Sequence, residues 1–450
     1  MPQTETLTLR MLVGYGVASI PVIYSYMLVL IMYMKYAATE LGASTGAIGT
    51  VFLVAKLWDA VTDPMVGSLS DRTRHRSGRR RPWLLASAPL LALFSLMAWV
   101  PPGSIEGAAL IAWIAVAIFG FYTAYTMFEV PHMALGAELT LEASARNRVF
   151  GIRQALKILG MLAAGVVGTW AVERGVASTR VMAIVVSVLT LGMIVYGVSL
   201  LPPERAEYRG RGGTNPFRAV ADVLRNRHAR LLLAVIFIDG IGAGGIGVLT
   251  PFVLDYVVGA PPLVLPALMG AYMLVSLAVV PVWVGLARRY AKKRLMLISM
   301  LGSGIGYGMV VFAGEGDWLL ILVSAIVAGA AGVCPNVLGY TIKSEIIDWD
   351  EHATGERKEG AYFAGWSFVS KLAAGVMIGI VGWALEWAGF DGSVQEQTEL
   401  VKRTMVLLMG GFPLVCFGLG AVAFSRFELD ESEHARIRAE LDARARTSAS

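Results

Sequence analysis

The sequence predicts an all-α integral membrane protein with twelve transmembrane helices in two six-helix bundles. Three observations carry this expectation. The chain of 450 residues is 56% hydrophobic and only 16% charged, with a mean hydropathy of +0.63, more apolar surface than a soluble fold ordinarily buries. Twelve apolar runs of membrane-crossing length recur along it. The longest polar break falls after the sixth run and divides the chain into equal sets.

Taken in order, the runs fall near 10–37, 45–71, 82–100, 107–137, 148–172, 178–201, 229–258, 262–287, 294–313, 318–343, 359–388 and 404–426. This gives an N-terminal bundle over 1–201, a cytosolic linker over 202–228, a C-terminal bundle over 229–426 and a cytosolic tail over 427–450. The tail carries no apolar face sufficient to dock it strongly. Asp71–Arg81 holds six arginines, residues 202–230 hold seven, and Arg288–Arg294 holds five Arg or Lys, whereas the alternate connections near 38–45, 101–106, 258–262 and 314–317 carry acids or no charge. The positive-inside rule therefore places both termini in the cytosol of a bacterial inner, or plasma, membrane protein. The basic run after the second segment has a counterpart after the eighth, an internal echo of a parallel repeat. Such a repeat, with substrate bound between the halves at mid-membrane, is the major-facilitator architecture.

Composition also narrows the function. The net charge of +5 is concentrated at segment ends, where it sets topology, so the partners are the bilayer and a small molecule and not nucleic acid. Cys334 and Cys416 lie in apolar runs and read as packing residues. No HExxH, GxSxG or Cys/His cluster is present, so no cofactor is expected and an enzyme is disfavoured. A monomeric carrier is expected.

Ionisable groups inside the segments mark the candidate site, because each is costly in lipid without a partner, an ion or water. Asp59 and Asp63 lie four apart in segment 2 and share a helical face, with Thr62 beside them. Their oxygens suit a small hard cation, sodium, or a proton. Segment 4 brings Thr126 and Glu129, three apart and just before the kinking Pro131. His132 next to them reads as a satisfied packing residue, with a proton relay as its other role. Segment 5 carries Arg153 and Lys157 on one face, cations that need carboxylates or an anionic, hydroxyl-rich ligand. Lys371, preceded by Trp366, sits deep in segment 11 and should meet an acid or substrate. Asp239 in segment 7 could touch substrate or make an interhelical contact. At the cytosolic ends, Asp71, Arg72, Arg148, Asp348 and Asp350 read as gating residues, and the charged run 344–360 as a solvated loop.

Together these motifs resemble the glycoside–pentoside–hexuronide:cation symporter family, of which melibiose permease is the familiar member, over nearly the whole chain. The resemblance rests on WDAVTDP at 58–64, supported by FLVAKLWD, SGRRRPW, FEVP, RNRVFGIRQ, EIIDWDEHATGERKEGAY and FVSKLAAG, in order. It implies a cation site at Asp59, Thr62, Asp63, Thr126 and Glu129. It also implies substrate contacts at Glu129 and Arg153 and a link to the other bundle through Lys371. Transport with sodium, lithium or protons by alternating access follows from it as well.

One departure bears on the substrate. Ile23 occupies the position of the family's sugar-binding aspartate, and Val22 that of a neighbouring basic residue. With that acid gone and Arg153, Lys157 and Lys371 kept, the site tilts positive, which favours an acidic sugar or another organic anion. A lysophospholipid carrier or an uncoupled uniporter are the alternatives. A cation that neutralises the acids would free Arg153 or Lys371 for substrate, and the coupling would be reciprocal.

Overall fold

The computed structural model describes residues 8–140, 143–202, 223–356, 358–429 and 431–449. Residues 203–222, most of the expected linker, lie outside them. The described residues are helical and contain no strand. Among the described residues twelve helices are long and apolar enough to span a membrane: α1 Leu9–Thr39, α2 Thr45–Arg72, α3 Arg81–Trp99, α4 Gly107–Glu138, α5 Arg148–Glu173, α6 Val176–Ser199, α7 Arg227–Val258, α8 Val264–Ala287, α9 Lys292–Phe312, α10 Trp318–Thr354, α11 Glu359–Trp387 and α12 Glu399–Phe424. A further helix, α13, covers Glu431–Ala449.

The fold divides into two compact units. The first comprises Met1–Thr214, Pro261–Pro266 and Ile378–Thr398; the second comprises Asn215–Ala260, Ala267–Met377 and Glu399–Ser450. In the first unit α2 packs on α4, α3 on α4 and α6, and α1 on α5 and α6. With lipid outside, association of these helices relies on close packing and on polar side chains bonding to neighbouring backbones. Tyr33 and Tyr36 of α1 donate to the carbonyls of Ala98 and Trp99 at the end of α3, each at 3.0 Å. Ser187 of α6 donates to Ala92 O of α3 at 3.0 Å. In the second unit α9 packs on α10 and α12, and α7 on α12. Ser324 of α10 donates to Gly306 O of α9 at 2.7 Å, and Ser299 of α9 to Ala331 O at 2.8 Å.

Helix geometry is interrupted near the polar residues. Pro64 follows Asp63 inside α2, and Pro131 lies inside α4. Neither ring can donate to the carbonyl four residues back, which at Pro64 is that of Ala60, beside Asp59. Single π-helical turns occur at Ala164–Gly168, Val253–Val258 and Leu407–Gly411.

Two expectations need correction. The charged run from Ser344 is not a solvated loop: α10 continues through it to Thr354, where Gly355 at φ +76° ends the helix and its N–H bonds to Glu351 O at 2.8 Å. Ile342, Ile346 and Ile347 keep a buried apolar face, while Glu345 pairs with Lys292 of α9. The charge density concealed a helix whose acids have partners within the unit. The tail docks as well. Ile437 of α13 is only 2% exposed in the core of the second unit, with Leu441 packed against it. His434 and Arg438 reach Asp348 at 3.0 and 3.7 Å, and His352 reaches Glu440 at 2.6 Å. Its low average hydrophobicity hid an apolar contact that needs few residues.

Candidate functional site

The site in the first unit is built on α2 and α4. Helical spacing sets Asp59 and Asp63 on one face of α2 and Thr126 and Glu129 on one face of α4. Thr126 Oγ1 lies 2.8 Å from Asp59 Oδ1 and 3.0 Å from Asp63 Oδ1. A hydroxyl has one proton to donate, so it satisfies one carboxylate at a time. Asp59 is 1% exposed. Two carboxylates held this close in a membrane interior require added positive charge.

Part of that charge is built in. Lys56, three residues before Asp59 and 3% exposed, places Nζ 3.9 Å from Asp59 Oδ2. The ammonium donates to Tyr26 OH at 3.1 Å and sits over the faces of Tyr122 at 4.0 Å and Tyr26 at 4.9 Å. Tyr125 stacks on Tyr26 with ring centroids 4.6 Å apart. This ammonium offsets part of the negative charge of the two carboxylates. Among the described residues no group of three His, Cys, Asp or Glu side chains could hold a metal ion. The oxygens that converge here belong to two carboxylates and a hydroxyl, a set that suits a hard monovalent cation or a proton. Thr62 is buried nearby, its hydroxyl donating to Asp59 O at 3.2 Å.

One turn along α4 the balance reverses. Glu129 Oε1 accepts from Arg153 Nη2 at 2.6 Å and from Lys157 Nζ at 3.2 Å, so one carboxylate serves two cations of α5. His132 completes this cluster. Arg153 Nε can only donate, so His132 Nδ1, 3.2 Å away, accepts, and Nε2 carries the hydrogen donated to Tyr15 O at 2.7 Å. The imidazole is thereby a neutral brace for Arg153, held between the rings of Tyr15 at 4.3 Å and Phe128 at 4.7 Å.

Other sequence-predicted residues lie elsewhere. Ile23, 4% exposed, packs on α5 at Gly160, where a Cβ would collide with its Cγ2 and with Ile20 O. That is a helix–helix contact. Asp71 at the end of α2 meets Arg80 at 2.8 Å and Arg79 at 3.7 Å, and both arginines bind Glu138 at the end of α4. This clamp joins α2 to α4 inside one unit. Arg72 and Arg148 are exposed at helix ends. In the second unit Asp348 and Asp350 are buried on α10, and Trp366 lies in the core beside Tyr362 and Phe363 with its indole N–H unbonded. Lys371 is half-buried on α11. Asp239 faces α12, its Oδ1 over Gly420 and without a hydrogen-bond partner.

Residues 14–431 match the family described as MFS/sugar transport protein, which covers nearly all of this arrangement. The chain belongs to that family. It is a multi-pass secondary transporter of the glycoside–pentoside–hexuronide:cation symporter type, as the motifs of α2, α4 and α11 led one to expect. It is similar to the putative glycoside/cation symporter YagG of Escherichia coli (strain K12), 24% identical over 435 residues and covering 95% of this chain and 93% of that one. It is also similar to the sodium-dependent lysophosphatidylcholine symporter 1 of Mus musculus, 23% identical over 436 residues, covering 87% of this chain and 80% of that one. Its fold matches the crystal structure of the nucleoside transporter NupG with a TM-score of 0.71 at 14% identity, over 93% of this chain and 100% of that one.

Within this symporter the residues that sequence reasoning missed are Lys56, Tyr26 and Tyr122. The signal was present, since an ammonium in FLVAKLWD is as costly in lipid as the acids that follow it. The aromatic faces that hold it come from α1 and α4 and have no sequence proximity to it.

Proposed function

We propose that this protein couples entry of one monovalent cation to import of a glycoside bearing an acidic group. One observation carries the reading: charge is segregated along α4. Asp59 and Asp63, with Lys56 beside them, form an acidic locus, and Arg153 with Lys157 around the single Glu129 form a basic one. A cation suits the first subsite and an anion the second. Sodium or a proton would bind at Asp59 and Asp63, with Thr126 as the shared donor. The acidic group of the substrate would compete with Glu129 for Arg153 and Lys157. We take Lys371 of α11 as a further substrate-binding residue.

Because Thr126 and Glu129 sit on one helix turn, occupancy of either subsite shifts the other, and linkage makes the effect equal in both directions. The cycle exposes the site alternately to the two sides of the membrane, with no bond made or broken, so the protein acts as a carrier and not as an enzyme. The basic connections support an orientation with both termini in the cytosol. We take the halves 1–201 and 229–426 as the two moving bundles and the monomer as the working unit.

A second reading has its own support. A lysophospholipid presents a phosphate to the same two cations, and a sodium-dependent lysophosphatidylcholine symporter is among the relatives. Uptake into proteoliposomes of a neutral glucoside, the matching glucuronide and lysophosphatidylcholine, under sodium or proton gradients imposed separately, distinguishes these cases. Gradient-driven uptake of the glucuronide is expected. Uptake of lysophosphatidylcholine alone would replace the substrate class, and uptake indifferent to both gradients would make the protein a uniporter.

A further inference from the structure

A groove of about 620 Å³ opens between α1, α5 and α6, wholly inside the first unit, and contains none of the site residues described above. Its walls are apolar: Tyr24 of α1, Val167 and Trp170 of α5, and Val181, Val185 and Leu189 of α6. All of these but Tyr24 are exposed. The π-helical turn Ala164–Gly168 breaks the regular face of α5 along the groove. Exposed apolar side chains on spanning helices face hydrocarbon, so a groove of this lining takes an alkyl chain.

The groove has a polar end. It runs along α6 from Ala177, beside the turn that joins α5 to α6, to Met193, about 24 Å at 1.5 Å per residue. One leaflet of hydrocarbon is about 15 Å deep, half of the bilayer core, so the groove is long enough for an acyl chain anchored at the turn. Arg174 stands at that turn. Its guanidinium lies 4.3 Å from the ring of Trp170, and among the described residues no carboxylate pairs with it. Two acids of this end, Glu40 and Glu173, offset Lys35 of α1. Gly175, at φ +86°, heads α6 without a side-chain cap, so the partial positive charge of the helix end adds to that of Arg174. Tryptophan with arginine marks the headgroup level of a bilayer, and a guanidinium matches a phosphate through paired N–H donors.

We propose that the groove between α1, α5 and α6 is a binding site for an anionic phospholipid of the surrounding bilayer. The acyl chain lies along α6 and Arg174 holds the phosphate. This inference is independent of the substrate reading above.

Thermal unfolding of the purified full chain in detergent tests it, with phosphatidylglycerol or phosphatidylcholine of the same acyl chains added. Phosphatidylglycerol should raise the unfolding temperature of wild type by several degrees more than phosphatidylcholine does, because a ligand of the folded state stabilises it. Native mass spectrometry should show phosphatidylglycerol retained on the protein. Arg174→Gln should weaken this retention about tenfold, with Arg174→Lys weakening it less. Val185→Trp, at an exposed position, fills the groove and should abolish it. The unfolding temperature of each variant without lipid reports its fold. Equal stabilisation of wild type by the two lipids overturns the site whatever the variants do. Wild-type preference for phosphatidylglycerol in folded Arg174→Gln, or undiminished retention in folded Val185→Trp, overturns it as well.

Discussion

Lys56 Nζ stands 3.9 Å from Asp59 Oδ2 in the interior of the first unit, a built-in cation beside the pair of carboxylates that would take the transported one. This relationship sets the charge of the site. Lys56 offsets part of the pair's negative charge, and removing it would raise the demand for other cations.

Lys56→Met should therefore tighten binding of the coupling cation. Two charges about 4 Å apart interact by roughly 4 kcal/mol at an effective dielectric of 20, so even a strongly damped effect lowers the half-saturating cation concentration by at least about tenfold. Cation-dependent uptake at fixed substrate checks it, and the charge moved per substrate should rise. An unchanged cation dependence would mean that Lys56 only packs.

Asp63→Asn should abolish most cation-driven uptake while the protein still inserts, because it removes one of the two carboxylates proposed to hold the cation. Normal, fully cation-dependent uptake would sink the assignment. Thr126→Val, which keeps the shape but removes the shared donor, should weaken cation binding by about 1–3 kcal/mol.

His132 braces Arg153 without titrating, since its Nδ1 is held as an acceptor and its Nε2–H is spent on Tyr15 O. His132→Phe should raise substrate KM several-fold with little change in kcat, and should leave the pH profile of uptake in place. A flattened pH profile would instead make the imidazole a proton carrier.

Ile23→Asp puts an unpartnered acid into the contact between α1 and α5 at Gly160. The expected result is poor insertion and a lower unfolding temperature, a penalty of about 2–3 kcal/mol or more, before any change of substrate. This reverses the order that sequence position suggests, in which substrate choice changes more than insertion. Expression level and thermal unfolding together decide between the two.

The docked tail supplies a stability test. Ile437→Ala removes a buried side chain from the core of the second unit and should cost about 2–4 kcal/mol. Thermal unfolding in detergent measures it. No shift would mean that α13 rests on the surface.

Much of this protein could be read from its residues in order. The apolar runs determined all twelve spans to within several residues, except where α10 runs on to Thr354, because membrane length and hydropathy are local properties. The spacing of Asp59 and Asp63, of Thr126 and Glu129, and of Arg153 and Lys157 likewise decided which residues share a face, since helix geometry is local too. Only tertiary structure decided who meets whom. Glu129 joins α5 and not the aspartates by any contact as close, Lys56 enters an aromatic cage from α1 and α4, and Ile23 turns into a helix seam. Those outcomes depend on how helices distant in sequence rotate against one another, a choice made by close packing and by the need of every buried charge for a partner.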